Sequence, residues 1–403
     1  MTAVLVSHPH ANPVSVAVAS ILARAGRLSS FFTGVAFAGS GWRAGVGAAL
    51  ATRRPVLRNR LLSGLPAERL HALAGVELGA RAAHRLASAV GLPLAGYDAL
   101  YVAHDTAVAA WPWPNDVGAL YIYEDAALRT FRRGAKRDLP RILDVASLHH
   151  RTVESIWSEE ARRWPGATDG PVHVEPQWKR ERKASELALA TRVSVASDFT
   201  RRSLEAAGVT APIVATPYGF PVETFSARAR RPSGPFRVLA VGAQNLLKGT
   251  PYLLEAWRRA AIPDAELDLV GRSRLSKTFL DRYAGTFRLW PSVPRHELAA
   301  RYADADLVVF PTLGDGFGLV IQEAMCSGTP VLTTPCGGGP ACITDGVEGW
   351  IVPPRDVDAL VDRLRAAAAD RDRLYAMGRA ARARAERWTW HEAGAALLAA
   401  LEL

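Results

Sequence analysis

Gly314-Asp-Gly-Phe-Gly-Leu-Val-Ile-Gln-Glu-Ala-Met-Cys-Ser-Gly-Thr-Pro-Val331 is the stretch on which the reading of this chain turns. Val308, Val309 and Phe310 before it have the continuous apolar character of a buried strand end. Pro311 to Gly316 then supply a loop, and Phe317 to Ser327 a helix with Val320, Ile321 and Ala324 inward, stopped by Gly328. Strand, glycine loop and helix together make the unit of a doubly wound α/β fold. The glycine-rich helix start offers backbone N–H groups and the positive end of a helix dipole, a combination suited to a diphosphate. Asp315 sits before that helix and Glu323 about two turns inside it. Carboxylates in those places can reach sugar hydroxyls from two directions. The plainer reading makes Asp315 a helix cap and Glu323 a solvated face residue.

Outward from this stretch, 403 residues of which 49% are hydrophobic are enough for two domains with separate cores. No run of about eighteen apolar residues appears, and Met1-Thr-Ala-Val-Leu-Val-Ser7 enters a strand without a basic leader, so a cytoplasmic protein is expected. Cys326, Cys336 and Cys342 match no metal-ligand spacing and are expected to be small buried thiols. The formal charge of +10 rests on 44 arginines and only five lysines. Arg53, Arg54, Arg58, Arg60, Arg69, Arg81 and Arg85 lie among leucines and alanines, which suits an anionic membrane surface as well as an ordinary solvated face. Nucleic acid is not an expected partner, because no recognition module appears and the basic residues lack interleaved stacking aromatics.

Ala3 to Ser7, Leu28 to Phe37, Ala99 to Ala103, Gly118 to Tyr123, Arg141 to Val145 and Val193 to Ala196 read as strand segments alternating with helices, beginning with Val14 to Ala25. Ser226 to Pro235 is polar and rich in breakers, as a domain connection requires. The alternation restarts at Phe236 to Gly242 and recurs at Leu267 to Gly271, Phe287 to Leu289, Leu307 to Phe310 and Val331 to Thr333. Two Rossmann-like halves follow, expected as 1–220 and 221–387, with 388–403 as a terminal helix. Ser7-His-Pro-His-Ala-Asn-Pro13 after the first strand has no dinucleotide glycine fingerprint, and no nucleoside-triphosphate P-loop is present, which disfavours NAD enzymes and simple ATPases.

Asp315-x7-Glu323 resembles the E-x7-E signature of retaining GT-B glycosyltransferases of family 4, with Asp in place of the first Glu. The similarity extends over about Asp116 to Trp390. Val241-Gly-Ala-Gln-Asn-Leu-Leu-Lys-Gly249 resembles the family's strand-to-helix loop, which implies Gly242 and Lys248 as diphosphate contacts. Ala243 stands where many relatives carry Arg, so Arg272 after Val270-Gly271 is the expected replacement. Pro217-Tyr-Gly219 fits the family's P-x-G loop, and Gly337-Gly-Gly-Pro340 its G-G-x-P-E segment with Ala341 in place of Glu. Tyr121-Ile-Tyr-Glu-Asp-Ala-Ala127 resembles a turn of a polysaccharide-type subgroup. That puts Glu124 at a strand's C-terminal end, where open sheets face their crevice. His104 and His149 occupy comparable positions, although each can equally be a core or capping residue.

The resemblance implies two Rossmann-like domains facing a central cleft and a sugar transferred, with retention, from a nucleoside diphosphate sugar to a hydroxyl acceptor. That acceptor is expected to be a glycan, a lipid-linked sugar or a small molecule. Asp315, Lys248, Glu124, His104 and His149 are the implied catalytic residues. Glu323, Gly316, Phe317, Gly318, Leu319, Gly242, Arg272 and Gly219 are the implied donor contacts, with a UDP- or GDP-linked co-substrate. No metal is expected, since Asp304-Ala-Asp306 precedes a buried strand instead of following one. The terminal helix is expected to cross back to the first domain, and the protein to sit in the cytoplasm, peripheral at the inner membrane face. A sugar-nucleotide epimerase of the same fold, or a binding protein without turnover, is the alternative.

Overall fold

The computed structural model of the chain describes residues 2–39, 49, 60–62, 64–89, 96–170, 174–225, 227 and 234–402. Its first sheet comprises β1 (Ala3–Ser7), β2 (Leu28–Thr33), β5 (Leu70–Ala72), β6 (Val117–Tyr123), β7 (Arg141–Val145), β8 (Arg192–Val195) and β9 (Ile213–Ala215), while β3 (Phe37–Ala38) pairs with β4 (Leu61–Leu62) in a separate two-stranded sheet. The second comprises β10 (Phe236–Val241), β11 (Ala265–Val270), β12 (Arg288–Trp290), β13 (Leu307–Phe310), β14 (Val331–Thr333) and β15 (Gly349–Ile351). All pairings are parallel.

The orders are β5-β2-β1-β6-β7-β8-β9 and β12-β11-β10-β13-β14-β15. Each sheet therefore reverses direction of growth once, between β1 and β6 and between β10 and β13. Ligands bind outside the strand ends at such switch points. Helices cover both faces of each sheet, so the strands run apolar without alternation, as Leu307–Phe310 shows by being buried throughout.

Two segments tie the domains together. The helix His150–Arg163 follows β7, yet Trp157 and Ala167 belong to the core around Tyr252, Phe279 and the second sheet. Tyr252 donates its hydroxyl to fully buried Glu160 at 2.7 Å, and Arg355 Nε reaches the other Glu160 oxygen at 2.7 Å. At the far end, the helix Trp390–Ala400 starts with a capping box between Thr389 and Glu392. It lies against the first-domain helix Pro13–Arg24, with Gly394 close enough to Ile21 that a Cβ would stand 3.0 Å from its Cγ1.

Several expectations are corrected. Ala99 to Ala103 is not a strand: it lies within the helix Gly96–Ala110, where Leu100, His104 and Val108 are buried at a spacing of four. Alanine-rich apolar runs of that length do not distinguish the two by composition. The helix after β13 is Leu319–Cys326, because Gly318 at φ +86° breaks helical geometry and leaves Phe317 in the loop. Arg53, Arg54 and Arg58, and most of the connection from Ser226 onward, lie outside the described residues. Of the remaining arginines in that cluster, Arg60 and Arg81 are ion-paired to Glu77 and Arg69 to Asp116, while Arg85 is exposed. The three cysteines are buried and free.

Candidate functional site

The donor-side half is built where the loops after β10 and β13 touch. Gly249 has φ +68°, and a Cβ there would stand 2.0 Å from the Pro311 carbonyl oxygen, so only glycine lets the two loops stack. Asn245 Oδ1 accepts the Lys248 amide at 2.9 Å and holds the turn. This stacking brings the Lys248 ammonium to Asp315 Oδ2 at 2.5 Å and to the Gly314 carbonyl at 3.1 Å. Asp315 also accepts the Phe317 amide at 3.0 Å through Oδ1 and donates its own amide to Cys336 at 3.0 Å. Its carboxylate is thus held on both sides at the mouth of the helix. Gly242, at φ +119°, has open space where a Cβ would be, and exposed Arg272 lies at the next strand end, its carbonyl accepting from Gln244.

Behind the loop, Phe317 is buried against Tyr218 with ring centroids 5.1 Å apart, and Leu319 is 39% exposed at the helix start. Glu323 accepts the hydroxyl of buried Tyr302 at 2.9 Å. Burial raises the pKa of its carboxyl, while Tyr302 and Arg295 pull it down. Gly316 faces the other domain: its carbonyl accepts Thr200 Oγ1 at 3.1 Å, and a Cβ on it would be 1.8 Å from the Ala146 carbonyl oxygen. The loop of the second domain therefore rests directly on the loop after β7.

That contact borders a cavity of about 260 Å³, lined among others by His8, Asp98, Tyr123, Glu124, Asp125 and Asp144. Glu124 follows β6 and meets Lys183 at 3.2 Å and Ser147 Oγ at 3.3 Å. Burial lifts its pKa against the pull of Lys183. Asp125 holds φ +71°, a left-handed conformation uncommon outside glycine and found at built sites. The turn is clamped from behind by Glu186, which accepts the amides of Asp125, Ala127 and Leu128 at 2.7, 3.0 and 3.0 Å. Asp105 accepts the next two amides, and Arg182 bridges Asp105 at 2.6 Å and Glu186 at 3.1 Å.

Lys179, Lys183, Asp98 and Asp144 belong to none of the site motifs, and Asp125 lies within the Tyr121–Ala127 turn without an expected role. Two signals could have found them. Asp144 is a carboxylate inside the apolar strand Arg141–Val145, and three of the five lysines in an arginine-dominated chain, Lys179, Lys183 and Lys248, stand in these two loop clusters. Burial pushes the Asp144 carboxyl up to about 7, well above the ordinary aspartate range, although a hydrogen bond from Tyr121 at 2.5 Å pulls it down. The folded state then holds a proton that the unfolded chain releases near pH 4. Asp144 contributes full stability below that pH and loses it as pH rises to about 7. Asp144→Asn is accordingly expected to gain on the wild type between pH 5 and 7, by at most about 1.4 kcal/mol per unit, in parallel urea titrations.

Three expected site residues do not reach this cleft. His104 is fully buried with Nε2 2.9 Å from Ser7 Oγ, and burial pushes its pKa down to about 3, so it is a neutral core residue. His149 caps the helix His150–Arg163 by accepting the Arg151 amide and lies against His150, 4.1 Å between ring centroids. Gly219 is buried under the chain crossing, where a Cβ would stand 2.4 Å from the Trp390 backbone, so its smallness serves the terminal helix. The G-G-G-P segment does belong: Gly338 donates to the Phe317 carbonyl at 2.7 Å. Asp306 is spent on Arg371 at 2.8 Å.

Residues 235–370 match the family described as Glycosyl transferases group 1. A D-inositol 3-phosphate glycosyltransferase of Segniliparus rotundus is 34% identical over 173 residues, 40% of this chain and 38% of that protein. The chain spans less than two fifths of the length of the first curated relatives it matches. Among solved structures, sucrose-phosphate synthase from Thermosynechococcus elongatus superposes with a TM-score of 0.65 at 17% identity, over 98% of this chain and 97% of that one. Anabaena HepE in complex with UDP and glucose gives 0.63 at 15% identity over the whole of both chains. The chain therefore carries a glycosyl transferases group 1 domain on a GT-B scaffold.

Proposed function

We propose that this protein is a retaining glycosyltransferase moving a sugar from a UDP- or GDP-linked donor to a hydroxyl acceptor. The observation that carries the reading is the meeting of Lys248 and Asp315 at the mouth of the helix Leu319–Cys326, opposite the cavity beside Glu124. The Lys248 ammonium and the helix N-terminus are placed to stabilise charge growing on a departing diphosphate, with no metal required for that task. A diphosphate competing for Lys248 leaves Asp315 able to turn to the donor sugar's hydroxyls. Glu323, one helix face further in, is the partner for the ribose. Glu124, held by Lys183 and Ser147, orients the acceptor hydroxyl, whose proton passes to the leaving phosphate. An epimerase needs no acceptor, so the polar cavity across the cleft favours transfer.

A cytoplasmic, membrane-peripheral place fits the helix Ala74–Ala89, whose outer face combines exposed Leu78 and Leu86 with Arg81 and Arg85. No helix among the described residues is long and apolar enough to cross a membrane.

Calorimetric titration against UDP, GDP, ADP and TDP tests the donor site. One nucleotide is expected to bind, insensitive to chelator, with affinity reduced at least tenfold in both Lys248→Ala and Glu323→Ala. Absence of binding to all four would remove the reading.

A further inference from the structure

The cavity beside Glu124 contains buried polar atoms that the described residues leave without partners. Tyr123 is 4% exposed and Asp144 2% exposed, and both line the cavity. The Tyr123 hydroxyl and Asp144 Oδ1 have no hydrogen-bond partner there. Groups buried to this extent are ordinarily satisfied, so two orphans on one wall point to a ligand that supplies both an acceptor and a donor.

The surrounding charge decides what kind of ligand. Asp98, Glu124 and Asp125 line the cavity with Asp144, and Glu175 stands just behind. The two ammonium groups present are already occupied. Lys179 meets Asp98 at 2.9 Å, Asp125 at 3.3 Å and Glu175 at 3.6 Å. Lys183 meets Glu175 at 2.9 Å, Glu124 at 3.2 Å and Asp125 at 4.0 Å. Arg182 is turned away onto Asp105 and Glu186. His8 brings no charge: Nδ1 lies 2.6 Å from the His10 carbonyl oxygen, to which it donates, and Nε2 accepts from the Asn12 side-chain amide at 3.0 Å. Burial pushes the His8 pKa to about 3. Carboxylates thus outnumber cations around the space. No three acidic, histidine or cysteine residues among the described ones stand close enough to hold a metal ion.

We propose that the acceptor ring entering this cavity is an uncharged polyhydroxylated one, a sugar or cyclitol without phosphate on the part that enters, an inference that rests on the transferase reading above. Ring hydroxyls donate to Asp98 and Asp125, accept from Tyr123, and can either accept from or donate to Asp144 Oδ1. A phosphate dianion would meet carboxylates with no unspent cation. At about 260 Å³ the space lies below the ~300–1,000 Å³ of sites for larger ligands, which suits one ring.

The test uses the full chain saturated with whichever nucleoside diphosphate it binds. Glucose is compared with glucose 6-phosphate, and myo-inositol with inositol 3-phosphate, within a panel of hexoses and cyclitols. Saturation-transfer NMR reads binding, and a transfer assay reads turnover. The unphosphorylated member of a bound pair is expected to be favoured at least tenfold. The double variant Asp98→Asn/Asp125→Asn releases Lys179 and is expected to narrow that ratio several-fold. Asparagine tolerates the left-handed backbone at 125, and an unchanged nucleotide affinity marks the variant as folded. Equal or better binding of the phosphorylated members, or no binding by any neutral compound in the panel, would overturn the inference while nucleotide binding still stood. Failure of nucleotide binding itself is the separate failure of the transferase reading. Should the variant not fold, the wild-type comparison decides alone.

Discussion

Glu186→Ala is expected to cost about 3–5 kcal/mol of folding stability, since each buried amide left without its acceptor costs about 1–3 kcal/mol. Glu186 is fully buried and accepts three amides of the turn, and its removal strands those N–H groups, while Arg182 keeps Asp105 and the Asp125 carbonyl. Water cannot replace the lost acceptor cheaply in so closed a place. The turn at Asp125, already in a left-handed conformation, loses what holds it, so Glu124 and Asp125 lose their aim into the cavity. Urea unfolding of Glu186→Ala and Glu186→Gln separates the causes. The glutamine keeps the volume and one acceptor oxygen and is expected to recover roughly half of the loss. Equal stability of the alanine variant and the wild type would show that the turn stands without its clamp.

Gly316→Ala is expected to lower transfer about 100-fold while weakening nucleotide binding by less than about tenfold, a split typical of small misplacements at a reacting centre. The added Cβ would stand 1.8 Å from the Ala146 carbonyl oxygen, a backbone atom that cannot swing aside as a side chain would. Relief comes only by parting the two domains' loops, which separates Asp315 from the cavity beside Glu124. Lys248 and Glu323 lie on one side of that parting, so the donor half survives it. An overpacking cost of about 1–3 kcal/mol accompanies the change. Gly79→Ala is the control, because a Cβ there meets nothing within 4 Å and helix propensity favours alanine. Unchanged transfer in Gly316→Ala would place the working cleft elsewhere.

Much of the fold was legible because parallel strands buried on both faces announce themselves as short apolar runs. Ten of the thirteen strands in the two sheets match such runs, whereas β5, β9 and β15, three residues each at sheet edges, escape that reading because so short a segment carries no periodicity. The failures have local causes. Ala99 to Ala103 reads as strand or helix with equal ease until His104 and Val108 are seen on one buried face. His104, His149 and Gly219 look functional in motif context because a histidine after a strand and a glycine in a loop serve packing and ligands alike. Ser7, the Arg151 amide and the Trp390 backbone claim them instead. Asp144 and the lysine pair escaped notice because no fixed spacing links Glu124, Asp144 and Lys183.

The sequence by itself determined two doubly wound α/β halves, the glycine loop with Asp315 and Glu323, and the strand end bearing Glu124. Local periodicity and turn chemistry act over a few residues, and these features are written at that range. Only the tertiary structure decided that Lys248 meets Asp315 across 67 positions, that Glu186 holds the turn before it by 61, and that Gly316 rests on Ala146. Those meetings depend on strand order and on how closely backbones approach, quantities set by packing the whole chain and not by any one segment.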